Sequence, residues 1–350
     1  MPTSPHITGP GITSAPVTVP RITGPRIIFM GTPEFAVASL DAILHAGYTV
    51  AAVITAPDKP AGRGMQLTGS AVKKYALEKG LPVLQPEKLK APAFLEELRS
   101  LAADLQIVVA FRMLPEVVWN MPPMGTVNLH GSLLPQYRGA APINWAVING
   151  EIETGVTTFR LQQDIDTGNI LLQDRLPIGP AETAGDVHDR MKEIGAQLLV
   201  RTIEGLAAGS LKEIPQVAPI RAPALPGQTI IDSSPLRHAP KIFTETGRID
   251  WTKPTTEIYN LIRGLSPFPA AFTELDGKLL KIYHAEKETI PPAISPHPAL
   301  PPGQVDTDKK SYLQFATADG FIRVTELQLE GKKKMKTEDL LRGYKFHEQS

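Results

Sequence analysis

Residues 26–55 read RIIFMGTPEFAVASLDAILHAGYTVAAVIT, and this stretch decides the fold class. Arg26–Met30 opens on a run of apolar residues, the pattern of a strand buried on both faces. Thr32 and Pro33 suit the N-cap and first turn of a helix. Phe35, Val37, Leu40, Ile43 and Leu44 recur at helical spacing, and Gly47 is a stop signal. Thr49–Thr55 then reads as a second strand. Strand, helix and strand in succession make a βαβ unit and call for a parallel pair.

The pattern continues downstream. Helices are expected over about Ser70–Lys79 and Pro92–Leu101, with an apolar strand at Leu105–Phe111. A strand at Thr126–His130, a helix near Pro142–Val147 and strands near 155–161 and 169–175 follow. A long helix over about Ala184–Ala207 has Thr183 as its N-cap. An α/β domain with a parallel-rich sheet is therefore expected over residues 26–214. Beyond residue 240 the signals change to short strands and turns: GRIDW, PAAFTELDG, KLLKIYHA, SYLQFATADG and FIRVTELQL. Asp276-Gly277 and Asp319-Gly320 are hairpin dipeptides. A small β domain, barrel-like, is expected over 241–350.

Proline marks the divisions. The chain has 34 prolines in 350 residues, roughly twice average usage. Six lie in residues 1–25, where ITGP occurs twice and no acidic residue is present. That segment has no periodic apolar face to offset its ordering entropy and reads as a disordered tail. It lacks the apolar run of a signal peptide, and is short of arginine and serine for a transit peptide. A second cluster at 215–240 reads as an interdomain linker, and a third at 291–302 as a loop within the β domain.

Composition excludes several function classes. With no cysteine there are no disulfides, thiolate nucleophiles or cysteine-ligated metals. The eight histidines show no metal-ligand spacing, so no metal is expected. No apolar run is long enough to cross a membrane, and a cytoplasmic monomer is expected. Basic and acidic residues balance at 36 each, which argues against a whole-protein grip on nucleic acid but allows a local patch.

The stretch Thr126–Gly139, TVNLHGSLLPQYRG, carries the chemistry. Alternation along the strand puts Asn128 and His130 on one face. Both sit at the carboxyl end of a parallel strand, the edge where open α/β sheets bind ligands. Asp164 and Asp166 lie in a turn after the strand near 155–161, so a carboxylate can face the same crevice. An amide, an imidazole and a carboxylate together suit acyl transfer to an amine, with the first two opposing a developing oxyanion. G-x-S-x-G is absent and Ser132 follows His130 too closely for a nucleophile elbow, which favours direct transfer. Gly31-Thr32-Pro33 lacks G-x-G-x-x-G, against a dinucleotide-dependent dehydrogenase.

Taken together, NLHGSLLPQYRGAAP, TGV and DTG resemble the 10-formyltetrahydrofolate-dependent formyltransferases. IIFMGTPEFA at 27–36, PDKPAGRG at 57–64, GLPVLQPEKL at 80–89, RIDW at 248–251 and GKKKM at 331–335 fall in the same order and spacing. The resemblance implies a Rossmann-like N-terminal domain and an OB-like C-terminal β barrel. It implies Asn128, His130 and Asp166 as catalytic residues. It also implies 10-formyltetrahydrofolate as donor, contacted by Ser132, Leu133, Leu134 and Pro135. The acceptor implied is the methionyl amine on charged initiator tRNA, approached by the loop bearing Arg63. Lys332, Lys333, Lys334 and Lys336, the densest basic run, are candidate phosphate contacts.

Two departures stand out. Gln162 and Asp164 occupy positions where the family commonly has an acidic residue and a glycine. Arg112 stands where many relatives have glycine, at the expected pterin pocket. Phe243, Trp251, Phe268 and Phe272 are expected in the barrel core. An amino-sugar nucleotide as acceptor, or a non-catalytic RNA-binding module, are the competing readings.

Overall fold

The computed structural model describes residues 24–61, 66–216, 235–289 and 300–346. Nearly all of the 1–25 tail, most of the 215–240 and 291–302 proline clusters, and Arg63 lie outside the described residues. Seven strands form the first sheet, in the spatial order Ile170–Pro177, Glu153–Arg160, Thr126–His130, Leu105–Val109, Ile27–Gly31, Val50–Ile54 and Val83–Leu84. The last five in that order are mutually parallel, with Ile27–Gly31 between Val50–Ile54 and Leu105–Val109. The chain first runs outward from Ile27–Gly31, then crosses over to Leu105–Val109. The carboxyl ends of these two strands therefore flank a topological switch point, where a crevice opens.

Both faces are covered, as buried parallel strands require. Ile27, Phe29, Ile107, Val127 and Leu129 pack with the helices Glu34–His45 and Ala184–Ala207. Ile28, Met30 and Val108 pack on the opposite face with Phe94, Leu98 and Val118 from the helices Pro92–Ser100 and Glu116–Trp119. The long helix starts with a capping box, Thr183 exchanging hydrogen bonds with Asp186. The first helix begins one residue later than the sequence suggests, with Pro33 itself at the N-cap.

Two strands depart from the parallel arrangement of the rest of the sheet. Glu153–Arg160 runs antiparallel to Thr126–His130, and Ile170–Pro177 runs antiparallel to it in turn. The connection 161–169 is thus a hairpin loop, too short for the crossover that a parallel pair requires.

The second sheet is wholly antiparallel. Ala271–Leu275, Lys278–Thr289, Gly320–Leu329, Leu313–Ala316 and Val305–Thr307 lie side by side, and Met335–Lys336 adds to Gly320–Leu329. It wraps an OB-like half-barrel around a core that includes Ile258, Ile262 and Leu265 of the helix Thr255–Leu265. Phe272 is buried, and Trp251 stacks on Phe315 at 4.6 Å. Phe243 and Phe268 do not join them, being 63% and 81% exposed. Neither lies in a strand, so no sheet face is available to bury it; Phe268 sits between Pro267 and Pro269 in the turn after the helix.

The two units meet tightly. Asn144 in the helix Pro142–Ile148 donates to the Gly264 carbonyl at 2.8 Å, and the buried Arg263 donates to the Glu182 carbonyl at 3.2 Å.

Candidate functional site

A cavity of about 680 Å³ opens at the switch point. Pro33 and Phe35, which follow the first strand, and Ala110 and Phe111, which follow Leu105–Val109, supply two of its walls. Asn128 and His130 face into it from Thr126–His130, and Asp166 closes it from the 161–169 loop. The two polar strand residues share a face because side chains alternate, while Val127 and Leu129 point into the helical core.

The Asp166 carboxylate reaches the site by an unexpected route. Its strand ends at the far side, Arg160 pairing with Val127 rather than with His130. The loop must fold back over the sheet to bring Asp166 Oδ2 within 3.7 Å of His130 Nδ1. Both side chains are nearly buried, 7% and 11% exposed. Asp164, by contrast, is exposed at the cavity rim, so Asp166 is the carboxylate beside the imidazole. Gln162 lies on the same rim.

Backbone groups fix this pair. The His130 Nε2–H donates to the Tyr137 carbonyl at 2.9 Å. That bond leaves Nδ1 as the nitrogen that can gain or lose a proton at the cavity. The Gly139 N–H donates to Asp166 Oδ2 at 2.9 Å. Gly139 has φ +124°, and a Cβ there would collide with the Ala239 carbonyl, so glycine is required twice over. Ala110, Tyr137 and Asp166 all hold left-handed backbone, at φ +47°, +60° and +53°. Each costs about 1–2 kcal/mol for a residue with a Cβ, and three such residues around one cavity mark a site whose geometry is imposed.

The Asn128 carboxamide is half-buried and makes no hydrogen bond among the described residues. It is thus a ready donor facing the cavity beside the His130–Asp166 pair. A carbonyl carbon held among the three would find donors where its oxygen gains charge and a proton acceptor beside it.

Ser132, Leu133, Leu134 and Pro135 are not brought to the cavity wall. Ser132 is fully buried, its hydroxyl donating to the Gln136 carbonyl at 2.6 Å. Leu134 packs with Phe159 and Ile170. Thr157 holds the segment: its hydroxyl donates to the Ser132 carbonyl at 2.6 Å and accepts from the Leu134 N–H at 3.1 Å. Gln173 Nε2 adds bonds to the Leu134 carbonyl and to Thr157 Oγ1, both at 2.9 Å. The segment thus buttresses the strand end behind His130.

Arg112 does line the cavity, and it forms no salt bridge among the described residues. Its guanidinium donates to the carbonyls of Pro86 and Glu87, tying the cavity wall to the end of another strand. Burial holds its pKa below the usual arginine value, and its Nε is buried with no hydrogen-bond partner among the described residues.

Glu34, His188 and Asp189 could together offer three ligand atoms to a cation. The Lys192 ammonium already pairs with both carboxylates, at 2.9 and 3.5 Å, and its own pKa is raised mainly by its hydrogen bond to Glu34.

Lys332, Lys333 and Lys334 sit in the exposed turn after Gly320–Leu329, and Lys336 in the short strand that follows. Lys334 is committed to Glu326 at 2.8 Å and lies over the Tyr283 ring. Lys332, Lys333 and Lys336 are exposed and make no ion pair among the described residues. The strands Lys59–Ala61 and Gln66–Thr68 frame the sequence position of Arg63.

Sequence reasoning missed Tyr137 and Gly139, which act through backbone atoms, and also Thr157, Gln173 and Gln216. Only Gly139 left a signal, as the glycine that opens the GAAP run leading into the helix Pro142–Ile148.

Known proteins bear on this arrangement in three ways. The formyl transferase family matches residues 25–203, and the formyl transferase C-terminal domain matches residues 241–345. A methionyl-tRNA formyltransferase of Parabacteroides distasonis is 57% identical over 326 residues, 91% of this chain and 96% of that protein. One of Bacteroides fragilis is 52% identical, over 92% of this chain and 96% of that protein. Among solved structures, a sugar 3N-formyl transferase with dTDP and 5-N-formyl-THF present aligns with TM-score 0.59 at 21% identity, over 88% of this chain and 98% of that one. HypX from Aquifex aeolicus, in complex with tetrahydrofolic acid, aligns with TM-score 0.59 at 18% identity, over 91% of this chain and 47% of that one. Both likenesses concern the fold. With two family matches in chain order and relatives above half identity over nearly its whole length, this chain belongs to the formyl transferase family.

Proposed function

We propose that the chain transfers the formyl group of 10-formyltetrahydrofolate to the α-amine of methionyl-tRNA. The observation that carries the chemistry is the convergence of Asn128, His130 and Asp166 on one cavity at the switch point. The choice of acceptor is supported by relatives of that name, alike over both sheets.

In the reaction an N–C bond forms between the amine and the formyl carbon while the bond from that carbon to the folate nitrogen breaks. The proton the amine loses is the one the folate nitrogen gains. Asn128 donates a hydrogen bond to the formyl oxygen as it becomes anionic. His130 Nδ1, its other nitrogen tied to Tyr137, relays the proton, and Asp166 balances the imidazolium. Ser132–Pro135 act on the donor by holding the strand end behind His130. Arg63, Lys332, Lys333 and Lys336 supply phosphate contacts; Lys334 is occupied by Glu326.

The test is a formylation assay with 10-formyltetrahydrofolate and charged initiator tRNA, run beside an amino-sugar nucleotide as competing acceptor. Transfer to methionyl-tRNA is expected. Transfer to the sugar alone would overturn the acceptor while keeping the chemistry, and no transfer to either would overturn both.

A further inference from the structure

Asp166 arrives on a long loop, in left-handed backbone, at a depth where its carboxylate must meet His130. Something must hold it there, because a residue in that conformation persists only when its surroundings over-determine it. The pairings that close the loop, the Arg160 N–H donating to the Asn169 carbonyl and Phe159 opposite Ile170, lie at its base.

Gln216 makes the connection. Its Nε2 donates to the Asp166 carbonyl at 3.0 Å and to the Gly168 carbonyl at 2.7 Å, on either side of Thr167. Its Oε1 accepts from Arg138 Nε at 3.1 Å and from the second guanidinium nitrogen at 2.7 Å. Both donors and both lone pairs of the carboxamide are thereby used. Arg138 directly precedes Gly139, whose N–H donates to the Asp166 carboxylate. One side chain thus ties the backbone of Asp166 to the loop that holds its side chain. The Asp166 charge also acts on Arg138, opposing the lowering of its pKa by burial.

Gln216 begins the stretch that joins the two sheets, and the far end of that stretch grips the same loop. The Arg237 carbonyl accepts from the Tyr137 N–H at 2.7 Å, and the Ala239 carbonyl accepts from Ala140 at 2.7 Å. His238–Ala239 pairs in parallel with Arg138–Gly139. Tyr137 is the residue whose carbonyl holds His130. The near end therefore serves Asp166 and the far end serves His130.

We propose that Gln216 is a positioning residue for Asp166, and that the two ends of the joining stretch form a clasp that sets the His130–Asp166 geometry. The proposal rests on the reading of these two residues as catalytic. Gln216 bonds to carbonyls and to a guanidinium, so it acts through Asp166 and not on the reacting atoms. A misplacement of about 1 Å in such a site can cost about 10²-fold in rate.

The experiment is a double-mutant cycle on the full chain with both substrates. Gln216→Ala is expected to lower kcat by about 10²-fold while KM for donor and acceptor stays near wild type. In the Asp166→Ala background, Gln216→Ala is expected to cost nothing further, since the group it positions is gone. Arg138→Met, which removes the anchor of Oε1, is expected to lower kcat in the same direction and to vanish in the same background. Full activity in a folded Gln216→Ala, or an equal loss in both backgrounds, overturns the clasp. If melting curves show that Gln216→Ala does not fold, the same two criteria are applied to Arg138→Met. Near wild-type turnover in Asp166→Ala would instead overturn the catalytic reading, and the clasp with it.

Discussion

The two halves of the seven-stranded sheet are built from different residues. In Ile27–Gly31, Val50–Ile54 and Leu105–Val109 every position is buried, and only Gln106 carries a polar side chain. In Thr126–His130 and Glu153–Arg160 the buried positions include Thr126, His130, Thr154, Thr157 and Thr158. Buried polar groups cost stability unless they are hydrogen-bonded. The first three strands incur that cost only at Gln106, which accepts from the Thr126 hydroxyl, and supply cohesion. The other half accepts it, because Thr157 and His130 must hold loops at the cavity. The difference separates what makes the sheet stable from what makes it work.

That separation can be broken from either side. Phe29→Ala in the parallel half empties a fully buried position and should cost about 3–5 kcal/mol, read by urea unfolding. Turnover per folded molecule should be unchanged; a matching loss of kcat would mean that the halves are not separable. Asn128→Ala should do the reverse. Loss of one oxyanion donor should lower kcat by about 10²–10³-fold. Stability should hold, since the carboxamide has no hydrogen bond to lose among the described residues. Wild-type kcat would remove Asn128 from the site.

Thr157→Val should fall between these two. It leaves the Leu134 N–H and the Ser132 carbonyl without their partner, at about 1–3 kcal/mol, and should also slow turnover through the strand end behind His130. A change in stability alone would confine Thr157 to cohesion. The smallest effect is expected outside the first sheet. Replacing Lys332, Lys333 and Lys336 with alanine should leave both stability and kcat alone. It should flatten the salt dependence of tRNA binding, by about 0.9 in log–log slope for each duplex phosphate that a lysine no longer neutralises. An unchanged slope would discard the lysines as phosphate partners.

Much of this was legible in residues 26–55 and 126–139. Continuous apolar runs announced the strands of 26–55, and alternation in Thr126–His130 placed Asn128 and His130 together. Asp166 was legible as a residue type before Thr-Gly, but not by its path. Sequence reading put it in a turn at the end of a strand but gave that strand no direction; the strand is antiparallel to Thr126–His130, so the loop returns over the sheet. Local sequence does not encode strand direction, which depends on what the far end of a connection can reach. For Ser132–Pro135 the family resemblance implied a role toward the donor; what it did not show is that the hydroxyl and carbonyls of the segment bond to Gln136, Thr157 and Gln173. The aromatic residues divide in the same way. Phe272 falls in a strand and is buried, whereas Phe268 lies between prolines and is exposed.

What the sequence determined by itself was periodic or chemical: the βαβ series, the two-unit division, and the three side chains fit for acyl transfer. Periodicity needs only neighbouring residues, and reactivity needs only residue type. What the tertiary structure decided was which groups meet. The Tyr137 carbonyl, the Gly139 N–H and the Gln216 carboxamide converge on His130 and Asp166 from distant points in the chain. Two of the three are backbone groups, a carbonyl that every residue carries and an N–H that only proline lacks, so no residue type could single them out; only the path of the chain makes them part of the site.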